Sequence, residues 1–357
     1  MTQAKERIKE PPYAILRGGY KYKETLGMRR VTTYCMDMVE TEDILYVLIR
    51  ADGVGGNIRR INWKDEDLDV FGSFTWPVQM IQDSERKLYV SDEGKHCVYV
   101  LKDDGEKGYV AIGPTADAQK SNTKTFEIGE YGSGDGQLDS PSGICFDENE
   151  DLYVVDTGNN RIQKFDKNGN HLSTIESKTG DTVLDMPWGI AINHKGEILV
   201  SDWRNNRICV FDKSGEFTRS FGEIHISLGQ EVNQLDGPAG ISIDDDGDIY
   251  VADRNNNRVV IYDREGKYVT QIIGDATLSQ IGKTYIMSSP RVLRLREMAN
   301  REQWRLLRAP ASVRTYGKLI YIPDFGCHRL QVYEKESYPL SKDEIFEEPN
   351  HPTLYNV

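Results

Sequence analysis

Three stretches of the chain repeat nearly the same pattern of residues. They read "DLYVVDTGNNRIQKFDKNGNHLSTI" (151–175), "EILVSDWRNNRICVFDKSGEFTRSF" (197–221) and "DIYVADRNNNRVVIYDREGKYVTQI" (248–272). In each copy a hydrophobic run ends in Asp, and an Asn-Asn-Arg turn, a second apolar run, an Asp-x-x-Gly turn and a last run follow. A Pro-x-Gly turn with another short apolar run precedes each copy. The unit predicts four short strands in a meander sheet.

Weaker copies of the unit bring the number to six. They occupy residues 44–63, 87–105 and 319–337, and the first of them carries the insertion "ADGVGG". Four-stranded units that recur at intervals of about 40 to 50 residues are typical of a β-propeller. We therefore predict an all-β fold: a six-bladed β-propeller of four-stranded antiparallel blades that forms a single domain over residues 1–357.

The last copy lacks a fourth strand, and a segment near the N-terminus can supply it. "GGYKYKETLG" (18–27) resembles "GKYVTQIIG" (266–274), the fourth strand of the fifth copy. We predict that residues 18–27 complete the sixth blade and close the ring, which removes an open sheet edge. Residues 338–357 then form a C-terminal tail.

Loop lengths differ between the two faces of the predicted ring. The turns within the blades on one face barely change in length. On the other face, here called the upper face, the connections between blades are long at residues 113–138, 223–235 and 274–308. Long loops on one face of a rigid scaffold usually carry binding. Within 274–308, Ser289 and Pro290 can begin a helix. We expect this insertion to cover the mouth of the ring as a helical lid; the alternative is a helix that only plugs the channel.

The strand-and-turn segments "DTGNNRIQKFD", "DWRNNRICVFD" and "DRNNNRVVIYD" resemble NHL repeats, and the resemblance covers nearly the whole chain. It implies a six-bladed propeller, as the repeats themselves do. It does not imply one function, because the family includes amidating lyases, RNA-binding modules and protein-binding modules.

The composition of the chain argues against several classes of binding partner. The net charge of −13 argues against broad binding of nucleic acid, which needs a basic surface. No stretch reaches the roughly 20 apolar residues of a membrane span, and the N-terminus lacks the apolar core of a secretory signal. The five cysteines include no CxxC pair and suggest reduced thiols. We expect a cytoplasmic protein that binds neither nucleic acid nor membrane.

Two rows of aligned positions on the upper face vary from copy to copy. The residues that follow the strand-ending Asp are Arg50, Glu93, Thr157, Trp203, Arg254 and Phe325. The residues inside the Pro-x-Gly turn, or at the equivalent position, are Tyr34, Val78, Ser142, Trp188, Ala239 and Ala311. This mixture of aromatic rings with arginines suits a small, partly aromatic ligand that carries a negative group. Trp188 and Trp203 have the alternative role of filling the channel.

Four of the strand-ending aspartates precede an arginine by five residues, which favours structural ion pairs. The pairs are Asp156–Arg161, Asp202–Arg207, Asp253–Arg258 and Asp324–Arg329. Asp92 lacks such a partner because Cys97 stands in its place. Asp92 and Glu93 are therefore candidates for an acid/base pair.

Metal and cofactor chemistry have little support in the sequence. The amidating lyases that the chain resembles hold zinc with three histidines, and here only His96 and His328 occupy equivalent positions, with His225 in a nearby loop. No P-loop, GxSxG elbow or dinucleotide fingerprint is present. We expect no metal and no cofactor.

Two functions remain open. The first is an enzyme of the lyase, isomerase or hydrolase type, with Glu93, Tyr34 or His96 for proton transfer and Arg50 or Arg254 to hold negative charge. Trp188, Trp203 and Phe325 would line its pocket. The second is a scaffold without catalysis that binds a protein or peptide on the upper face. A covered pocket favours the enzyme, whereas an exposed aromatic ring favours the scaffold.

Overall fold

Six antiparallel β-sheets form a closed ring. The computed structural model describes residues 11–12, 14–27, 32–41, 43–51, 55–103, 109–110, 126–176, 183–222, 234–288, 294 and 303–341. The innermost strand of each sheet contacts the innermost strand of the next, and that of the sixth contacts that of the first. The predicted six-bladed propeller is confirmed.

The first strand of the chain, β1 (Ala14–Leu26), belongs to the last blade. Blade one follows with four antiparallel strands, β2 (Cys35–Glu40), β3 (Ile44–Ala51), β4 (Gly55–Asn62) and β5 (Asp67–Phe74). Blade two has the main strands β6 (Pro77–Gln82), β7 (Leu88–Asp92), β8 (Cys97–Asp103) and β10 (Phe126–Ile128), and the short β9 (Tyr109–Val110) also pairs with β8.

Blades three, four and five repeat one another closely. Blade three comprises β11 (Pro141–Phe146), β12 (Leu152–Asp156), β13 (Arg161–Phe165) and β14 (His171–Ile175). Blade four comprises β15 (Pro187–Ile192), β16 (Ile198–Asp202), β17 (Arg207–Phe211) and β18 (Phe217–Phe221). Blade five comprises β19 (Pro238–Ile243), β20 (Ile249–Asp253), β21 (Arg258–Tyr262) and β22 (Tyr268–Ile272).

Blade six is assembled from both ends of the chain. Its strands are β23 (Arg314–Tyr316), β24 (Leu319–Asp324), β25 (Arg329–Leu340) and β1. Strand β1 pairs antiparallel with β25 from Ala14 opposite Leu340 to Leu26 opposite Leu330. The N-terminal strand thus lies where residues 18–27 were expected and begins four residues earlier. Because β25 extends to Leu340, the tail predicted from residue 338 has its first residues in a strand; residues 342–357 lie outside the described residues.

The hydrophobic core is divided among the interfaces between neighbouring blades. One cluster, for example, joins Tyr153 and Val155 of blade three to Ile190, Val200 and Phe211 of blade four. Such clusters form because each sheet presents alternate residues to its two neighbours. A fully buried Val, Ile or Phe contributes about 1.5–3 kcal/mol relative to exposure. Each blade is therefore stabilised mainly by the blades on either side.

The predicted Asp–Arg pairs are confirmed in all four blades that carry them. The Arg Nε lies 2.7, 2.9, 2.6 and 2.7 Å from the carboxylate of Asp156, Asp202, Asp253 and Asp324, respectively. The second carboxylate oxygen accepts a backbone N–H from the connection that enters the blade, at 2.6 to 2.8 Å. The pair thus fixes the second and third strands to the loop above them.

A second recurring hydrogen bond joins consecutive blades, and the sequence analysis did not predict it. The last residue of each turn between the second and third strands has a φ near +55° in blades two to six. These residues are His96, Asn160, Asn206, Asn257 and His328. Their side chains accept the backbone N–H of Ser140, Met186, Gly237, Ala309 and Tyr34, at 2.8 to 3.0 Å. Each of these five hydrogen bonds, here called a clasp, links one blade to the first residues of the next.

The first described residues of the insertion between blades five and six lie along the outer strand of blade six. The Thr277 N–H donates to Tyr22 Oη of β1 at 3.0 Å, and the Ile281 N–H donates to Asp65 Oδ2 in blade one at 2.7 Å. The helix α1 (Gln280–Met287) follows. Residues 274–281 therefore extend from blade five past blade six to blade one. The helix predicted from Ser289 and Pro290 falls on residues outside the described ranges.

No helix in the described ranges is both long and apolar enough to cross a membrane.

Candidate functional site

Strand pairing shows which of the predicted site residues are equivalent. Cys35 pairs with Ile49 in blade one, as Pro77 pairs with Asp92 in blade two. Arg50 is therefore equivalent to Glu93, Thr157, Trp203, Arg254 and Phe325, as expected. Tyr34 is not equivalent to Val78: it precedes the strand, as Trp76 does, and Met36 occupies the place assigned to Tyr34. The alignment slipped because blade one has no Pro-x-Gly turn.

Arg254 lies on the upper face with its guanidinium over an aromatic ring. Its Cζ is 4.6 Å from the centre of the Phe325 ring in the next blade. Its Nη1 is buried and has no hydrogen-bond partner among the residues that the structure describes. Burial, reinforced by the charge of Arg50, lowers the pKa of Arg254 to about 10. A cation in this state favours an anionic ligand.

Arg50 and Glu93 form the second charged element of the site, across the junction of blades one and two. The Arg50 Nη1 lies 3.5 Å from Glu93 Oε2, and the Arg50 Cζ lies 3.8 Å from the centre of the Trp76 ring. Burial raises the pKa of Glu93, while the charge of Arg50 opposes this change. A carboxyl group with a raised pKa can exchange a proton near neutral pH more readily than an exposed one.

Tyr34 and Phe325 form an aromatic contact next to Arg254. Their ring centres are 5.0 Å apart, and the His328 ring meets Tyr34 edge-on at 4.5 Å. Tyr34 adopts a φ of 46°, and its N–H donates to Nδ1 of His328 at 2.9 Å. The clasp between blades six and one therefore sets the position of Tyr34, even though Tyr34 is not where the alignment placed it.

Trp188 and Trp203 stack on each other in blade four. Their ring centres are 5.2 Å apart, with an angle of 35° between the planes. Trp188 and Phe325 both pack against a buried cluster that includes Met36, Val78 and Ala311 near the ring axis. Both tryptophans thus take part in packing, and Trp203 is also at the position equivalent to Arg254.

His96 and Asp92 have structural contacts that the sequence did not reveal. His96 Nδ1 accepts the Ser140 N–H at 3.0 Å, and its ring meets Tyr131 at 4.6 Å. The Asp92 carboxylate accepts the N–H groups of Thr75 and Trp76 at 2.7 and 2.8 Å and is fully buried. The clasp engages Nδ1 of His96 and leaves Nε2 as the nitrogen that could exchange a proton. The backbone N–H groups engage both carboxylate oxygens of Asp92, which acid/base chemistry would need.

Metal-binding groups are absent from the described ranges: no three His, Cys, Asp or Glu side chains there lie close enough to hold an ion. His225, the third histidine considered for zinc, lies outside those ranges. In His328, as in His96, Nδ1 is the acceptor of a clasp.

The family of the chain follows from its repeats. Residues 138–165, 184–211 and 235–262 match the NHL repeat family. Each match covers the first three strands of blade three, four or five. The chain is an NHL-repeat β-propeller.

Two curated relatives share short segments with this NHL propeller. Protein lin-41 of Caenorhabditis elegans is 50% identical over 56 residues, which are 16% of this chain and 5% of the relative. Protein brain tumor of Drosophila melanogaster is 26% identical over 143 residues, which are 39% of this chain and 13% of the relative. The match therefore spans only a small part of either relative's length.

Solved structures share the fold of the NHL propeller at low sequence identity. A streptogramin B lyase is 13% identical with a TM-score of 0.53, covering 93% of this chain and 90% of that one. Virginiamycin B lyase from Staphylococcus aureus is 14% identical with a TM-score of 0.52, covering 90% and 89%. A protein of unknown function from Bacteroides thetaiotaomicron is 17% identical with a TM-score of 0.57, covering 92% and 73%. These likenesses show the fold.

In the NHL propeller, blades five, six, one and two bring together two arginines, one carboxylate and several aromatic rings. Trp76 is a member that the sequence reasoning missed. Its position directly before Pro77, equivalent to that of Tyr34, is the signal that could have found it. The Arg50–Trp76 and Arg254–Phe325 stacks give the site two cations on aromatic supports. Such an arrangement can bind an anion and an adjoining apolar group.

Proposed function

We propose that the upper face binds a small molecule that carries a negative group next to an apolar or aromatic group. The observation that carries this proposal is Arg254, whose Nη1 is buried and unpaired among the described residues. Burying a charge without a partner is costly, and a carboxylate that binds the guanidinium offsets this cost. The ring of Phe325, 4.6 Å below the guanidinium, offers the adjoining apolar surface.

The same geometry supports an enzyme of the lyase, isomerase or hydrolase type that needs neither metal nor cofactor. Glu93 would transfer the proton, since its carboxyl pKa is raised by burial and Arg50 stabilises its ionised form. Tyr34, beside Phe325, and His96, through Nε2, are the other candidate proton donors. In this proposal Arg254 would hold the negative group of the substrate and Trp188, Trp203 and Arg50 would border it.

A second candidate is a scaffold that binds a protein or peptide. Two aromatic side chains near the site are unusually exposed: Trp76 at 53% and Tyr131 at 68%. Exposed aromatic rings beside an arginine are typical anchors of protein interfaces. In this case the partner would present an acidic residue to Arg254.

The cellular setting is also a proposal. All five cysteines are free thiols, which supports a reducing compartment such as the cytoplasm. The net charge of −13 supports a partner other than nucleic acid.

Replacing Arg254 tests the function directly. We expect Arg254→Ala to weaken the binding of phenylacetate, an aromatic monocarboxylate, at least about tenfold by isothermal titration calorimetry, as for loss of a charge-assisted hydrogen bond. Its melting temperature should stay close to that of the wild type. Arg204→Ala is the matched control, because Arg204 directly follows Trp203 on the same face but is 63% exposed. Arg258→Ala should show the reverse pattern, with lost stability and retained affinity at a folded temperature.

Two results would decide between the candidates. Phenylacetate binding that depends on Arg254 supports the small-molecule site, and binding only of acidic aromatic peptides supports the scaffold. If Arg254→Ala and Arg204→Ala bind phenylacetate equally well, Arg254 is not the anion-binding group and the proposal is wrong.

A further inference from the structure

The charges around the site do not cancel. Arg50 faces Glu93 at 3.5 Å, whereas Arg254 has no acidic partner among its described neighbours. The Asp92 carboxylate next to Glu93 is occupied by backbone N–H groups, and the rim pair Asp185–Arg204 is separated by 3.7 Å. The site therefore presents one positive charge that is free to bind a ligand and one that the protein already neutralises.

We propose that Glu93 makes this site selective for ligands with a single negative charge. Glu93 neutralises Arg50 and repels a second anionic group, so that only the guanidinium of Arg254 is left for the ligand. This inference rests on the proposed anion site and names the charge class of its ligand and the residue that selects it.

Two features restrict where a second anionic group can go. Arg50 is stacked over Trp76 at 3.8 Å and is largely buried, so its guanidinium has little freedom to turn away from Glu93. Arg50 also lies near Arg254: the Arg50 N–H donates to the Tyr34 carbonyl at 3.1 Å, and the Tyr34 ring lies 5.0 Å from the Phe325 ring beneath Arg254. A ligand that binds Arg254 through one anionic group and extends toward Arg50 therefore brings any second anionic group close to Glu93.

The cost of such a second group is electrostatic. Two negative charges a few ångströms apart repel more strongly in a partly buried site than in water. The side chain of Glu93 is 33% exposed and that of Arg50 is 17% exposed, so solvent screens the repulsion only in part. Like-charge contacts of this kind are a common means of rejecting the wrong partner.

Two probes that differ by one carboxylate test the proposal. Phenylacetate carries one negative charge and phenylmalonate two at pH 8, on the same ring and carbon. We expect the wild type to bind phenylacetate about tenfold more tightly, measured by isothermal titration calorimetry in low salt. In Glu93→Gln this ratio should fall to about one or below, because the amide neither repels the second carboxylate nor neutralises Arg50. Asp185→Asn removes a carboxylate from the rim and should leave the ratio unchanged.

The outcomes separate this inference from the proposed function. Phenylacetate binding that requires Arg254, with the same ratio in the wild type and Glu93→Gln, overturns the role of Glu93 and leaves the anion site standing. If the wild type binds phenylmalonate more tightly than phenylacetate, the role of Glu93 is likewise overturned and the anion site stands. Failure of the wild type to bind phenylacetate contradicts the anion site itself, and the inference falls with it. Melting temperatures of all variants verify that they are folded.

Discussion

At the scale of single residues, Arg254 and Arg258 show that two arginines in neighbouring positions can have different roles. Arg258 Nε binds Asp253 at 2.6 Å, and its Nη2 donates to the Gln234 carbonyl at 2.7 Å. Arg254, four residues earlier, stacks on Phe325 and keeps a buried Nη1 without a partner among the described residues. The first stabilises the blade, and the second is available to a ligand.

The depressed pKa of Arg254 gives a pH dependence to anion binding. The guanidinium must be protonated to bind a carboxylate, so affinity is constant below its pKa of about 10 and falls as the pH rises through it. We expect the association constant for phenylacetate to fall roughly fourfold between pH 8 and pH 10.5, as one proton is lost. Titrations at constant ionic strength measure it.

The probe itself does not cause this change, because phenylacetate stays ionised over the whole range. Near-ultraviolet circular dichroism at each pH serves as the control for folding. An association constant that does not change up to pH 11 would show that Arg254 has an ordinary pKa or does not bind the anion.

At the scale of elements, the clasps between blades explain residues that the sequence alone presents as unrelated. His96, a predicted catalytic residue, and His328, which with His96 occupies a possible zinc-ligand position, share their backbone conformation and hydrogen bond with Asn160, Asn206 and Asn257. Asn adopts a left-handed conformation more easily than most residues, which suits this turn. Asn and His have in common a side-chain acceptor at a similar distance from the backbone.

Asn160 is a suitable position at which to test the clasp. Its Oδ1 accepts the Met186 N–H at 2.8 Å. We expect Asn160→Ala to lower the free energy of unfolding by about 2 kcal/mol, from the lost hydrogen bond and the strained left-handed backbone. Asn160→His should cost less than half as much, since His occupies two equivalent turns. Urea denaturation followed by tryptophan fluorescence measures the change.

Asn160→Gly separates the two contributions. Glycine accepts the left-handed backbone without strain but offers no acceptor, so we expect an intermediate loss of about 1 kcal/mol. If the glycine variant is as stable as the wild type, the clasp hydrogen bond contributes nothing and only the backbone conformation matters.

At the scale of the whole molecule, the ring depends on a strand from the other end of the chain. Strand β1 pairs with β25 along nearly its full length. Two charged contacts reinforce this closure: Arg17 binds Asp248, and Lys335 Nζ lies 2.6 to 2.8 Å from Asp244, Asp246 and Asp248 of blade five. Lys335 is 3% exposed, and these partners compensate for its burial.

Deleting residues 1–27 tests the closure of the ring. The deletion exposes the edge of β25 and the buried Leu330 and Val332. We expect the melting temperature to fall by more than 10 °C, or the protein to aggregate, because an open sheet edge and apolar surface are both created. Differential scanning calorimetry measures the change. Lys21→Ala is the control, since that side chain on β1 is 75% exposed. A truncated protein that melts like the full chain would contradict the role of β1.

The periodicity of the sequence was sufficient for the fold because each repeated unit encodes its own strands and turns. Alternating residues, Asp-x-x-Gly turns and Asp–Arg spacing are local features, and six copies leave little choice of architecture. The four ion pairs were predictable for the same reason. Blade one was misaligned at Tyr34, because there the local pattern is degenerate and only strand pairing fixes the register.

What the sequence by itself determined is therefore the six-bladed ring, the Asp–Arg pairs and the list of positions that vary between copies. Only the tertiary structure decided which of these positions meet: Arg254 on Phe325, Arg50 on Trp76, and His96 in a clasp. It also placed Thr277 against Tyr22 of β1 and Ile281 against Asp65 of blade one. The physical reason is that these contacts join residues of different blades. Their geometry depends on how neighbouring sheets pack, and no local pattern encodes that packing.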